Sequence, residues 1–314
     1  MAKSKKISIL GAGNVGATTA YALAIQGIAS EIVLIDIFKE KAFGEAADII
    51  QGAPFVPSPF KIYSGEYEDT AGSDIVIFTL GKPRQPGMTR IDLVNTNVAL
   101  FKEDVVPPIV KNAPDAIYVV VSNPVDILTY AVTKLSGMPA SKVIGSGTLL
   151  DTSRLRAILS DRIGVSYANI DAYVLGEHGD TSFIPWSLSS IFGVNAATYV
   201  EQHAGEKSPT WKEEVLKDVR EAGARVIRDK RATFFAIALS VCEICKNILN
   251  DTNKILPVGN VLNGQYGIDG VCVSLPFAIG ANGISGNLLP KLAPNEEEAL
   301  HKSAEAIKPF FAGI

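Results

Sequence analysis

The stretch Lys6-Ile7-Ser8-Ile9-Leu10-Gly11-Ala12-Gly13-Asn14-Val15-Gly16 decides the fold. Three of its first five residues, Ile7, Ile9 and Leu10, are apolar, a run that predicts a buried strand. The strand runs into G-x-G-x-x-G, and Val15 to Gly27 then reads as a helix. In that setting Gly11 permits the tight turn, Gly13 lets the main chain approach a pyrophosphate, and Gly16 lets the helix pack on the strand. The helix start adds unpaired N–H groups and positive potential. A second apolar run begins at Ile32 and reaches Asp36, twenty residues after Gly16. A carboxylate there accepts hydrogen bonds from ribose hydroxyls and repels a 2′-phosphate, so the cofactor expected is NAD rather than NADP. The same motif explains an N-terminus that mimics a signal peptide. Lys3, Lys5 and Lys6 precede an uncharged run from Ile7 to Ser30, but glycines, Asn14, Thr18 and Thr19 interrupt it.

Working outward, Ile32 to Ile37, Ile75 to Leu80 and Ile117 to Ser122 are further apolar strand runs, and Val143-Ile144 is a short one. Helix-like segments such as Lys39 to Ile50 separate them. Alternation of this kind predicts βαβ units in a doubly wound parallel sheet, a Rossmann domain over residues 1–145. The pattern then changes. Asp151 to Ile163 reads as a helix, Ile170 to Leu175 as a strand, and Trp211 to Leu249 as one long helical stretch. Ile255 to Val258, Gly270 to Leu275 and Phe277 to Gly280 suggest antiparallel strands, and a helix follows Asn295. Residues 146–314 are therefore expected to form an α+β catalytic and substrate domain.

With 314 residues, 47% of them hydrophobic, the chain has material for two ordinary domains. A net charge of -4 with no basic block points away from nucleic acid and membrane surfaces. Three cysteines in a long chain are no disulfide framework and suggest a reducing, cytoplasmic setting. Cys242 and Cys245 form C-x-x-C inside a helical run with no second Cys/His pair nearby, so helix packing explains them and no metal is expected.

Of the three histidines, His203 and His301 sit in charged segments, whereas His178 lies in Gly176-Glu177-His178-Gly179-Asp180 after the apolar run Ala172 to Leu175. A histidine at a strand mouth suits general acid–base chemistry. A packed core histidine is the bland alternative. Asp151 and Arg154, three apart on one helix face, offer an Asp to orient the imidazole and an Arg to clamp a carboxylate, or else a local ion pair. Gly81 to Arg90 follows a strand, is rich in Gly and Pro, and carries Arg84 and Arg90. It could serve as a lid above the sheet. Asn123-Pro124 ends the next strand and could present an amide to the same crevice.

Together these stretches resemble the lactate/malate dehydrogenase family over nearly the whole chain. The matching segments are GAGNVG, the strand ending at Asp36, PGMTR, SNPVDILTY from Ser122, IGSGTLLDTSRLR from Ile144 and LGEHGD from Leu175. The resemblance implies that His178 exchanges a proton with the substrate oxygen during hydride transfer with NADH. Asp151 would hold the His178 tautomer, Arg154 would bind the carboxylate, and Arg90 would arrive with the loop to polarise the carbonyl. Asn123 and Thr233 would line the substrate pocket. Gly11, Gly13, Val15, Gly16, Asp36, Gly81, Val121, Asn123 and Ser146 are the expected cofactor contacts.

Substrate choice is divided within the sequence. In the family, the residue six before the Arg90 position faces the variable end of the substrate. It is usually Gln in lactate enzymes and Arg in malate enzymes, and here it is Arg84. A guanidinium left unpaired against a methyl group is costly, on the order of 3–5 kcal/mol, which favours oxaloacetate. Glu177 before His178, Thr181, the GSGTLLDTSR segment and Thr233 are instead lactate-like. Pyruvate is the main reading and oxaloacetate the alternative. Many bacterial lactate enzymes are activated by fructose 1,6-bisphosphate through an Arg and a His. Arg156 matches the former, but Asp171 replaces the latter, so weak or absent activation is expected. The resemblance also implies a homotetramer, or at least a dimer.

Overall fold

The structure, a computed structural model, describes residues 5–82, 87–203 and 208–314, and for Arg90 and His203 the main chain alone. Arg84 lies outside the described residues. The first half alternates β1 (Lys6–Leu10), α1 (Asn14–Ile25), β2 (Glu31–Ile35), α2 (Lys39–Gln51), β3 (Lys61–Ser64) and β4 (Ile75–Phe78). It continues with α3 (Arg90–Leu100), α4 (Val106–Asn112), β5 (Ile117–Val120), α5 (Val125–Ser136) and β6 (Val143–Gly145). Strands β3-β2-β1-β4-β5-β6 lie side by side in that order, all parallel. This is the doubly wound order expected from βαβ units, with its reversal between β1 and β4.

Side chains alternate across the sheet with period two. Ile7, Ile9, Ile32, Leu34, Ile75, Ile77, Ile117 and Val119 enter one core, and Leu10, Val33, Ile35, Val76, Phe78, Tyr118 and Val120 enter the other. Helices cover both faces, which is why the strands read as unbroken apolar runs rather than alternating ones.

The second half comprises α6 (Leu149–Ile163), β7 (Ile170–Asp171), β8 (Ser190–Ile191), β9 (Val194–Asn195), α7 (Ala196–His203), α8 (Trp211–Lys230) and α9 (Phe235–Leu249). After them come β10 (Lys254–Asn263), β11 (Asp269–Gly280), β12 (Gly283–Asn287) and α10 (Pro294–Ile307). Strands β10 to β12 are antiparallel and extend the large sheet beyond β6 to nine strands, while β7 to β9 form a separate small sheet. A third core joins Leu155 and Leu159 of α6 to Val215 and Val219 of α8, with Trp186 edge-on to Trp211.

Three expectations shift. The stretch from Trp211 to Leu249 is two helices, broken where Arg231 turns left-handed (φ 73°). The strand expected over Ile170 to Leu175 forms a ladder at Ile170–Asp171 and an isolated antiparallel bridge from Leu175 to Phe183, with a break between them. In the break a side chain takes over the main-chain bonding: the Val174 N–H donates to Thr152 Oγ1 at 2.9 Å. Gly270 to Leu275 and Phe277 to Gly280 merge into the single strand β11, whose Pro276 lies opposite Pro257 of β10. Neither proline has an N–H to offer, so no donor is stranded there.

Candidate active site

The glycine loop is shaped as its spacing requires. Gly11 has φ 101°, and its N–H donates to the Ile35 carbonyl at 2.7 Å. A Cβ on Gly16 would stand 1.8 Å from the Gly11 carbonyl oxygen, so only glycine lets α1 start this close to β1. A Cβ on Gly13 would meet nothing within 4 Å, which leaves that main chain open to a ligand. Helix α1 has neither a side-chain cap nor an acid in its first turn, so its N–H groups face outward unpaired by side chains. Asp36 follows β2 and accepts from the Ala12 N–H at 2.7 Å and the Phe38 N–H at 2.9 Å. Those bonds lock the carboxylate beside the loop, and its remaining lone pairs can accept from ribose hydroxyls. The cradle and its acid therefore fit NAD.

A crevice of about 420 Å³ opens beside the sheet reversal. Val15, Val121, Asn123 and Ser146, from the expected cofactor set, line it, as do His178, Asp151, Arg154 and Thr233. Gly11, Gly13, Gly16, Asp36 and Gly81 lie outside this lining. Ser122 Oγ donates to the carbonyls of Phe78 and Leu80, tying the ends of β4 and β5 together beneath the crevice.

Asp151 is the hub of a buried polar cluster. Its Oδ2 is 2.5 Å from His178 Nδ1, and its Oδ1 accepts from Arg154 Nη1 at 2.9 Å. Asp151 is only 6% exposed, which rules out a solvated surface pair. Burial alone would raise the Asp151 pKa, but His178 and Arg154 outweigh it and hold the carboxyl below its ordinary value. Burial likewise disfavours the imidazolium of His178. The Asp151 charge and hydrogen bond reverse that effect, so the His178 pKa is raised. His178 is thereby suited to carry a proton near neutral pH.

Sequence reasoning missed several residues here. Arg220 and Gly223 of α8, and Ala224 and Ile227 beyond them, face the crevice. Arg220 donates to the Ser182 carbonyl, and burial lowers its pKa. A Cβ on Gly223 would lie 3.1 Å from Arg154 Nη2, so the glycine leaves room for that guanidinium. The helical period of α8 was the available signal, but which face meets the crevice is set by packing. Buried Asn97 is another: its Oδ1 accepts the Lys82 N–H at 2.8 Å, anchoring the chain that leaves Gly81. Arg90 opens α3 after Thr89, whose hydroxyl accepts the Asp92 N–H as a helix cap.

Residues 5–145 match the lactate/malate dehydrogenase NAD binding domain, and residues 148–310 match the lactate/malate dehydrogenase alpha/beta C-terminal domain. The chain belongs to the lactate/malate dehydrogenase family. It is 47% identical to L-lactate dehydrogenase 1 of Clostridium acetobutylicum over 314 residues, which is 100% of both chains. It is 46% identical over 303 residues to the L-lactate dehydrogenase of a Thermoanaerobacter species, covering 96% of this chain and 97% of that one. Among solved structures, the minor L-lactate dehydrogenase of Enterococcus mundtii in a ligand-bound form superposes with a TM-score of 0.95. That match has 37% identity and covers 99% of this chain and 98% of the other. Membership in this dehydrogenase family makes NAD the cofactor, as the glycine loop and Asp36 imply.

Proposed function

We propose that the chain is an NAD-dependent L-lactate dehydrogenase, with residues 1–145 as the cofactor half and 146–314 as the half that carries the acid–base group. The observation that carries this reading is the 2.5 Å contact between His178 Nδ1 and buried Asp151 inside the crevice. Bound NADH supplies the hydride. Arg154, with one nitrogen on Asp151, turns its other N–H groups to the substrate carboxylate. Arg90, at the start of α3, polarises the ketone, and Asn123 and Thr233 line the pocket. His178 is held through Nδ1 and gives its Nε2 proton to the carbonyl oxygen as the hydride reaches the carbon. Asp151 stabilises the imidazolium and remains a carboxylate. In the reverse direction, neutral His178 takes the hydroxyl proton of lactate. Val15, Val121, Asn123 and Ser146, which line the crevice, would hold the cofactor together with Gly81, and the loop of Gly11, Gly13 and Gly16 would receive its pyrophosphate. Asp36 takes the ribose and disfavours a 2′-phosphate.

Pyruvate, rather than oxaloacetate, is the substrate proposed. Full-length relatives named L-lactate dehydrogenase support it, and so do Glu177, Thr181 and Thr233. Arg84 favours the malate alternative. Measuring kcat/KM for pyruvate and oxaloacetate side by side with NADH tests the choice. Pyruvate should lead. Oxaloacetate ahead by about a hundredfold, the scale of one buried charge pairing, would overturn the assignment.

The chain works as a homotetramer or at least a dimer. Phe43 of α2, Phe55 beyond it, and Phe235 and Leu239 of α9 are large apolar side chains left exposed on the single chain. Cytoplasmic placement agrees with three unpaired thiols, all buried. No helix among the described residues is long and apolar enough to cross a membrane. Activation by fructose 1,6-bisphosphate is weak or absent because Asp171 occupies its site.

A further inference from the structure

Asp126, in the first turn of α5, is 4% exposed, and its Oδ1 has no hydrogen-bond partner among the described residues. A buried carboxyl with an unsatisfied oxygen is costly. A helix position packed against β10 and β11 could hold an apolar side chain at lower cost. Among the described residues, the carboxyl's one bond is to the main chain of His178, whose N–H donates to Oδ2 at 2.7 Å. The preceding amide is held in the same way by another helix: the Glu177 N–H donates to Ser303 Oγ of α10 at 2.7 Å. Two consecutive amides of the His178 loop are thus gripped by side chains from α5 and α10. Ser303 also contacts Thr181 Oγ1 at 3.0 Å, closing the loop on itself. With its main chain pinned, His178 keeps Nδ1 on Asp151. Helix α5 begins two residues after Asn123, which lines the crevice, so its first turn lies between the pocket wall and the acid–base loop.

We propose that Asp126 is a positioning residue for the reaction, holding the His178 main chain so that the imidazole meets both Asp151 and the substrate oxygen. This rests on the reading of His178 as the proton donor. The titratable groups facing Asp126 are His178 and Glu177 on the loop, Asp151 of α6 and the Cys272 thiol of β11. Burial pushes the Asp126 carboxyl up to about 7, while the His178 N–H works the other way. Its charge in turn favours the imidazolium of His178.

The test uses the full-length enzyme with NADH and pyruvate across about pH 5 to 9, the span in which histidine titrates. Asp126→Ala loses the acceptor. Its kcat should fall tenfold or more, since about 1 Å of misplacement costs on the order of a hundredfold. Its KM for pyruvate should stay within about threefold, because Arg154 is untouched. Asp126→Asn keeps an oxygen for the His178 N–H. It should recover kcat to within about threefold of the parent, with the alkaline limb of pyruvate reduction moved to lower pH because a charge favouring the imidazolium is gone. A kcat for Asp126→Ala within about twofold of the parent would overturn the proposal. So would equal losses in both variants, tracking the folded fraction, with the pH profile in place. Should the alanine variant fail to fold, an unmoved alkaline limb in the asparagine variant overturns it as well. His178→Ala, measured alongside, separates the two ideas: full turnover there refutes the role of His178 itself, whatever Asp126 does.

Discussion

The glycine loop offers a ligand its main chain, whereas the crevice is lined by converging side chains around His178 and Asp151. Gly11, Gly13 and Gly16 fall within six consecutive positions, and their contribution is the absence of a Cβ. His178 and Asp151 are 27 residues apart, the His178 amide reaches 52 residues back to Asp126, and the Glu177 amide reaches 126 residues forward to Ser303. A site made from backbone is local and tolerates little insertion of atoms. A site made from side chains is assembled by the fold, and each member depends on partners that other elements supply. The two sites should therefore fail differently when altered.

The largest effect is expected at the side-chain site. His178→Ala should lower kcat for pyruvate by about a thousandfold, within the usual range for a lost general acid, while NADH still binds. Binding lost together with turnover would show that the two sites are not separable. Asp151→Asn sharpens the point through pH. The folded His178 pKa is raised, so the imidazolium survives to higher pH. Pyruvate reduction needs that proton and declines as pH rises through the raised value, whereas lactate oxidation needs the neutral ring and gains over the same range. Without the Asp151 charge, both profiles should move to lower pH. Rate profiles in the two directions check this, and profiles that stay in place would remove Asp151 from its role.

A smaller effect, and of a different kind, is expected at the backbone site. Gly13→Ala places a methyl group where nothing lies within 4 Å, at an ordinary φ of -75°. The thermal midpoint should be unchanged while NADH affinity falls by about tenfold or more, since overpacking at the pyrophosphate costs roughly 1–3 kcal/mol. Titration of NADH fluorescence beside thermal melting reads both quantities. A drop in midpoint would mean that Gly13 serves the fold rather than the ligand. Gly16→Ala is the contrasting case, because its Cβ would collide with the Gly11 carbonyl and disturb α1 itself.

The same division explains what the sequence made legible. Strand β1 matches the apolar run Lys6 to Leu10 residue for residue, and the glycine loop with Asp36 is readable because motif, strand and helix are contiguous. His178, Asp151 and Arg154 could be nominated by chemistry and spacing, but their convergence on one carboxylate is a product of tertiary packing. Asn97, Arg220, Gly223 and Asp126 carry no local signature. They look like ordinary helix positions until α3, α5 and α8 are placed against the crevice. The break at Arg231 was hidden for a related reason. No glycine or proline marks it, and a non-glycine residue in the left-handed region leaves no trace in hydrophobic periodicity.

The smallest effect concerns an effector, and it contrasts a surface polar cluster with the buried one around Asp151. Arg156 donates from Nε to the Ala172 carbonyl at 3.1 Å, lies over the Tyr173 ring, and approaches Asp171 at 3.9 Å. Asp171 is largely exposed, so this loose pair contributes about 1 kcal/mol at most and does not by itself lock the arginine. On the proposed reading, the carboxylate is what would oppose a sugar bisphosphate. A dianionic phosphate about 4 Å away, even in water-like surroundings, meets repulsion on the order of 2 kcal/mol, about thirtyfold in affinity. Adding fructose 1,6-bisphosphate should therefore change pyruvate reduction by less than about twofold. Asp171→His exchanges the repelling group for one that can carry positive charge. A saturable activation that appears only in that variant would show that Arg156 is competent and that Asp171 alone silences the site. If the variant stays silent, the obstacle lies in Arg156, whose guanidinium would be held on Ala172 and Tyr173 too firmly to turn outward.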